Sequence, residues 1–143
     1  MDNTLQSRGR EYLLELLWDE QDKAGYISEQ FIEQTAQSLD LSISEVYGVA
    51  TFYRFLSTRP LGRYVIRVCK SIPCHLKSSQ LVVEAIQEKL GIKPGETTSD
   101  GRFSLQMTNC IGACDQAPAM LLNHDLYGDL TPGKIAQILE ACE

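Results

Sequence analysis

Four of the five cysteines stand in two tight pairs. Cys69 and Cys74 form C-x4-C, and Cys110 and Cys114 form C-x3-C. Residues 75–109 separate the pairs, so a fold that uses both must bring two distant loops together. Thiolates are soft ligands, and four of them suit zinc or an iron–sulfur cluster. Structural zinc sites favour knuckles with short gaps, in small domains with few other means of folding. Here the gaps are wide and apolar segments flank both pairs. Wide loops give a binuclear [2Fe–2S] cluster room, because ligands to two irons stand farther apart than ligands to one ion. Each pair would then hold one iron. A zinc-stabilised interaction module and a thiol–disulfide enzyme stay open at this point. The absence of C-x-x-C weighs against thioredoxin-type redox chemistry.

A chain of 143 residues suits one compact domain, or a small domain with an appendage. Hydrophobic residues make up 43%, enough for a core, yet no run reaches the roughly 18 apolar residues of a membrane helix. Met1-Asp2-Asn3-Thr4-Leu5-Gln6 lacks the basic and apolar regions of a secretory signal. The expected location is therefore the cytoplasm, or the cytoplasmic side of a membrane complex, where thiols stay reduced. A net charge of −6 argues against nucleic acid, whose phosphates demand clustered Lys and Arg.

The period of the apolar residues changes near Pro60 and Gly62. Before it, residues 1–58 read as a helical bundle. Tyr12, Leu13, Leu16 and Leu17 recur at helical spacing. Ser28 caps a second helix through Phe31, Ile32, Ala36 and Leu39. Ser42 and Glu45 have the spacing of a capping box and open a third, through Val46, Val49, Ala50, Tyr53 and Leu56. Beyond it, residues 59–143 read as a mixed domain in the order β-α-β-β-(β)-α, an α+β fold overall. Tyr64 to Val68 is a β-branched strand ending on Cys69. Ser78 or Ser79 starts a helix that Gly91 closes. Phe103 to Met107 alternates as a strand, Ala119 to Leu122 is a short apolar strand, and Tyr127-Gly128 lies in a following hairpin or turn. Thr131 caps a last helix with Pro132 at its first position.

The loop residues fit a metal centre. Gly112 allows a tight turn between two ligands, and Pro73 stiffens the first loop while removing one amide. The remaining amides can point at sulfur. Arg67, Lys70 and Lys77 either offset the negative charge of a cluster or are solvated surface charges. His75 reads as an ordinary surface or packing residue, with modulation of the site as the functional alternative. Phe52, Tyr53 and Phe55 form an aromatic stretch, with core packing expected for Phe52 or Tyr53 and a partner contact as the alternative.

Several motifs taken together resemble a known family. They are Val46-Tyr47-Gly48-Val49-Ala50-Thr51-Phe52-Tyr53, then Val68-Cys69-x4-Cys74, then Thr98-Ser99-Asp100-Gly101-Arg102-Phe103-Ser104-Leu105, then Cys110-Ile111-Gly112-Ala113-Cys114-x3-Pro118 and Leu130-Thr131-Pro132. From about Gly25 to Leu139 the chain resembles the thioredoxin-like [2Fe–2S] subunit of NADH dehydrogenases, the NuoE-like family, and its relatives in hydrogenase, formate dehydrogenase and transhydrogenase complexes. The resemblance implies a helical segment followed by a thioredoxin-like domain. It implies Cys69, Cys74, Cys110 and Cys114 as cluster ligands; Cys142 matches no family ligand and reads as a packed or exposed free thiol. It implies one-electron exchange with FMN on a partner diaphorase subunit that also binds NAD(H), with further iron–sulfur subunits beyond. No G-x-G-x-x-G is present, so hydride transfer by this chain itself is not expected. In thioredoxin-like folds a proline placed like Pro118 is often cis, and a cis Ala117–Pro118 bond is therefore expected.

Overall fold

A computed structural model describes residues 9–109 and 111–142. The chain divides into two compact units, Met1–Pro60 and Leu61–Glu143.

Among the described residues the first unit contains three α-helices, α1 (Leu13–Ala24), α2 (Glu29–Leu39) and α3 (Ile43–Phe52), with a short 3-10 turn at Arg10–Tyr12. Each begins or ends where the local chemistry dictates. Gly25, at φ 82°, closes α1 in the left-handed conformation that glycine adopts without a Cβ penalty. The Ser28 hydroxyl accepts from the Phe31 amide and starts α2. Ser42 and Glu45 form a complete capping box at α3. Leu17, Ile27, Val46 and Ala50 are fully buried, and Leu13, Ile32, Ala36, Leu39 and Leu56 pack around them. Phe52 and Tyr53 depart from the expected core packing: Phe52 is 76% exposed and Tyr53 41%. Helix α3 ends at Phe52 and Tyr53 takes extended backbone, which carries both rings off the stripe of Val46 and Ala50. Phe52 and Tyr53 instead meet edge to face, and Phe55 stacks on Trp18.

The second unit is built on a four-stranded sheet, in the order β2-β1-β3-β4. Strand β1 is Tyr64–Cys69, β2 Phe103–Thr108, β3 Met120–Leu122 and β4 Asp125–Tyr127. β1 and β2 run parallel, which requires a crossover. The short helix α4 (Ile72–Leu76) and the longer α5 (Ser79–Leu90) supply it. β3 pairs antiparallel with both β1 and β4. The last helix, α6 (Pro132–Glu140), starts where the Thr131 hydroxyl accepts from the Lys134 amide. Ile66, Val68, Phe103, Leu105, Met120 and Leu122 on the strands meet Val82, Val83, Ile86, Ile135 and Leu139 on the helices to form the core.

Two features differ from the expected order. The first cysteine loop contains helix α4, and Ser78 precedes α5 with φ 67° and no side-chain cap. Five residues beginning Ile-Pro give no helical period to detect, so α4 carries no signal in the pattern of the sequence.

The capping box gives a direct expectation. Ser42→Ala should cost about 1 kcal/mol in reversible thermal unfolding. Hydrogen bonds from the backbone and hydroxyl of Ser42, aided by the charge of Arg10, hold the Glu45 carboxyl below its ordinary range. Its contribution is therefore present above the unfolded carboxylate pKa and is lost as pH falls through the lower folded value. Glu45→Gln should remove that part of the acid dependence, measured as Tm against pH.

Candidate metal centre

Strand β1 delivers Cys69 at its last position, with the side chain buried. The backbone then leaves the sheet, tied by the Lys70 amide to the Thr108 carbonyl at 2.8 Å. Helix α4 follows, and its one buried side chain is Cys74. A helical turn brings Cys74 back against Cys69, and the two thiols are close enough to share a hydrogen bond. Together with Ala117 they form a small separate cluster, with Ile111 packed against it.

The surroundings divide the two thiols into different roles. Burial pushes the Cys69 thiol up, but hydrogen bonds outweigh it. They come from the Ser71 hydroxyl at 2.9 Å, the Ser71 backbone, the Cys74 thiol and the Ile111 backbone, and the net direction is down. Burial, the bond to Cys69 and the charges of Cys69 and Cys114 push Cys74 up, against a bond from the Ala119 backbone. Cys69 is thus the more acidic of the two thiols and Cys74 the less acidic. Backbone groups of Ile111, on the far cysteine loop, and of Ala119, just before β3, reach sulfurs of the near one. Such contacts satisfy thiolate sulfur and suit it to a metal or cluster.

The second loop runs from the end of β2. Gly112 has φ 79°, the left-handed conformation a tight turn needs. A 3-10 turn, Cys114–Gln116, sets Cys114 at the surface, where its charge acts on Cys74. Ala113 and Ala117 are buried on either side of that turn. The Ala117–Pro118 bond is cis. Cys110 lies outside the described residues. Among the described residues no three His, Cys, Asp or Glu side chains close on a common point. What the fold brings together is Cys69 with Cys74, and Cys114 within electrostatic reach of Cys74. Cys142 stands elsewhere, its thiol donating to the Ile138 carbonyl at 3.3 Å.

Of the three cations near the first loop, Lys70, Lys77 and Arg67, only Arg67 is buried; His75 is exposed as well. Sequence reasoning missed Ser71, although a hydroxyl two residues past a cysteine is a local signal. It also missed the clamp on the second loop. The Asp129 amide donates to the Gln116 carbonyl at 2.6 Å and the Leu130 amide to the Pro118 carbonyl at 3.1 Å. Gly128 lies against Gln116 in the same clamp, and nothing local in the sequence reveals that packing.

Three comparisons place this geometry among known proteins. A family model described as thioredoxin-like [2Fe-2S] ferredoxin matches residues 3–143. The chain is 43% identical over 120 residues to the NuoE-type subunit of NADH-quinone oxidoreductase from Escherichia coli K12, covering 84% of this chain and 72% of that protein. It is 42% identical over 121 residues to the corresponding protein of Pseudomonas aeruginosa, covering 85% and 73%. Among solved structures, an air-oxidised NAD+-reducing [NiFe]-hydrogenase matches with a TM-score of 0.77 and 27% identity. That match covers 89% of this chain and 22% of the hydrogenase chain, so this chain spans about a fifth of its length.

The clamp can be tested by substitution. A Cβ on Gly128 would stand 2.5 Å from the Gln116 Cβ and 3.0 Å from its carbonyl oxygen, whereas one on Gly133 meets nothing within 4 Å. Gly128→Ala should therefore cost about 1–3 kcal/mol by overpacking. Gly133→Ala should be neutral or stabilising by about 0.4–1 kcal/mol. Denaturant melts of both variants check the contrast.

Proposed function

The chain belongs to the thioredoxin-like [2Fe–2S] ferredoxin family, and on that premise we propose that it is the electron-transfer subunit of an NAD(P)H-linked oxidoreductase complex. Cys69 and Cys74 from the first loop, with Cys110 and Cys114 from the second, hold one [2Fe–2S] cluster. When bound, the cluster supplies one-electron chemistry. The chain's own part is to hold and tune it. Ser71 and the Ile111 and Ala119 backbone surround the sulfurs of the first pair, and burial of Cys69 and Cys74 keeps water from them.

The observation that carries this reading is the pairing of two buried thiols, one of them driven toward thiolate, beneath the loop that bears the second cysteine pair. The donor set is all sulfur, as a [2Fe–2S] centre requires. Similarity to NuoE-type subunits of NADH-quinone oxidoreductases and to an NAD+-reducing hydrogenase supports a nicotinamide-linked complex. This chain carries no dinucleotide fingerprint, which supports a separate diaphorase subunit as the holder of FMN and NAD(H). The partner is thus a flavin-bearing subunit, with further iron–sulfur subunits downstream. No helix among the described residues is long and apolar enough to cross a membrane. The all-thiol ligand set supports a setting in the cytoplasm or on the cytoplasmic side of a membrane complex, where thiols stay reduced.

Anaerobic purification tests the assignment. The protein should be brown, with roughly two irons and two acid-labile sulfides per chain, and should show a [2Fe–2S] EPR signal after reduction. Cys110→Ser should lose or destabilise the centre, while Cys142→Ser should retain it. Stoichiometric zinc in a colourless protein would instead establish a zinc-stabilised module.

A further inference from the structure

The two faces of strand β1 are unlike. Ile66 and Val68 point into the apolar core with Leu105, Met120 and Leu122. Side chains alternate along a strand, so Val65, Arg67 and Cys69 share the opposite face. Residues directly opposite on neighbouring strands lie on the same face. Gln106 and Leu121 therefore flank Arg67, and Thr108 flanks Cys69. Ser104, Gln106 and Thr108 make this a polar face, where β2 turns only Phe103, Leu105 and Met107 to the core side.

Arg67 is 7% exposed. A guanidinium stays protonated in proteins, so its burial takes a permanent positive charge out of water. Burial of the side chain works against that charge, which lowers its pKa. Two residues along the strand, about 7 Å between Cα atoms, stands Cys69.

We propose that Arg67 is a tuning residue whose fixed charge stabilises the reduced form of a centre held by Cys69. This rests on the cluster reading above. The step it acts on is the entry of one electron from a one-electron donor, a reduced flavin in the complex or dithionite in the assay. No proton moves and no bond is made. The electron makes an already negative centre more negative, so a nearby fixed cation favours the reduced state. Removing the cation lowers the midpoint potential. Lys70 and Lys77, being exposed, act through high-dielectric solvent and contribute less.

The experiment is an anaerobic, dye-mediated redox titration of the cluster-loaded full chain, followed by visible absorbance and EPR. Arg67→Gln should keep the native spectra and reduce the reduced-to-oxidised ratio at fixed poise about tenfold. That corresponds to about 59 mV for a one-electron couple. Arg67→Lys, which keeps the charge, should stay within about twofold of the parent. The double variant Arg67→Gln with Gln106→Arg returns a guanidinium to the same face one strand away, and should recover most of the loss. An unchanged midpoint in Arg67→Gln, or an equal fall in Arg67→Lys, overturns the proposal. If Arg67→Gln fails to load a centre, the double variant decides: a midpoint near the parent supports the proposal, and a tenfold fall overturns it. If neither loads, Arg67 is structural and the proposal is overturned. A parent protein without iron and sulfide would defeat the cluster reading instead, before any midpoint is measured.

Discussion

The register of β1 governs everything else in the second unit. Its alternate residues divide between two tasks, with Ile66 and Val68 filling the core and Arg67 and Cys69 serving the opposite face. Parallel pairing with β2 and antiparallel pairing with β3 fix that division from both sides. A slip of one residue would exchange the faces, putting a guanidinium into the core and the first sulfur out of its site. The burial of Leu105, Met120 and Leu122 is thus what aims Cys69.

The first loop shows how little chain is needed after that. The Lys70 amide stays on the Thr108 carbonyl, and five residues of helix carry Cys74 back to its partner. Ile72 and Leu76 remain on the outside at 75% and 76% exposure, so α4 is not held by its own apolar face. Its buried side chain is the sulfur itself. The local structure of the loop and the chemistry of the site are one requirement, which is why the helix has no other sequence signature.

That coupling also explains what could be read beforehand. The β-branched run of Tyr64 to Val68 announced β1 and its end at Cys69, because strand propensity and burial agree there. Capping chemistry placed the starts of α2, α3 and α6, since Ser28, Ser42 and Thr131 make contacts only a few residues away. Readings that needed more distant information were less secure. Phe52 and Tyr53 look like core residues until the end of α3 is known. Ser78 adopts a left-handed backbone that nothing in its neighbours demands. The burial of Arg67 depends on its strand face, and the packing of Gly128 on Gln116 joins residues in separate elements. For the site, the sulfur spacing and Gly112 were legible, while the backbone groups of Ile111 and Ala119 that serve those sulfurs emerge only when two loops converge.

The β3–β4 hairpin is fastened at both of its ends. At its base, Asp129 and Leu130 bond back to Gln116 and Pro118. At its tip, the Asn123 side chain accepts from the Val65 amide at 2.9 Å, while the Asn123 backbone amide donates to the Val65 carbonyl, also at 2.9 Å. The segment that leaves the second cysteine turn is therefore riveted to the central strand. Freeing it means undoing attachments at opposite ends of one sheet at the same time. Local breathing of that turn is thereby made part of the cooperative melting of the whole unit, so its lifetime in place is set by the sheet rather than by the loop.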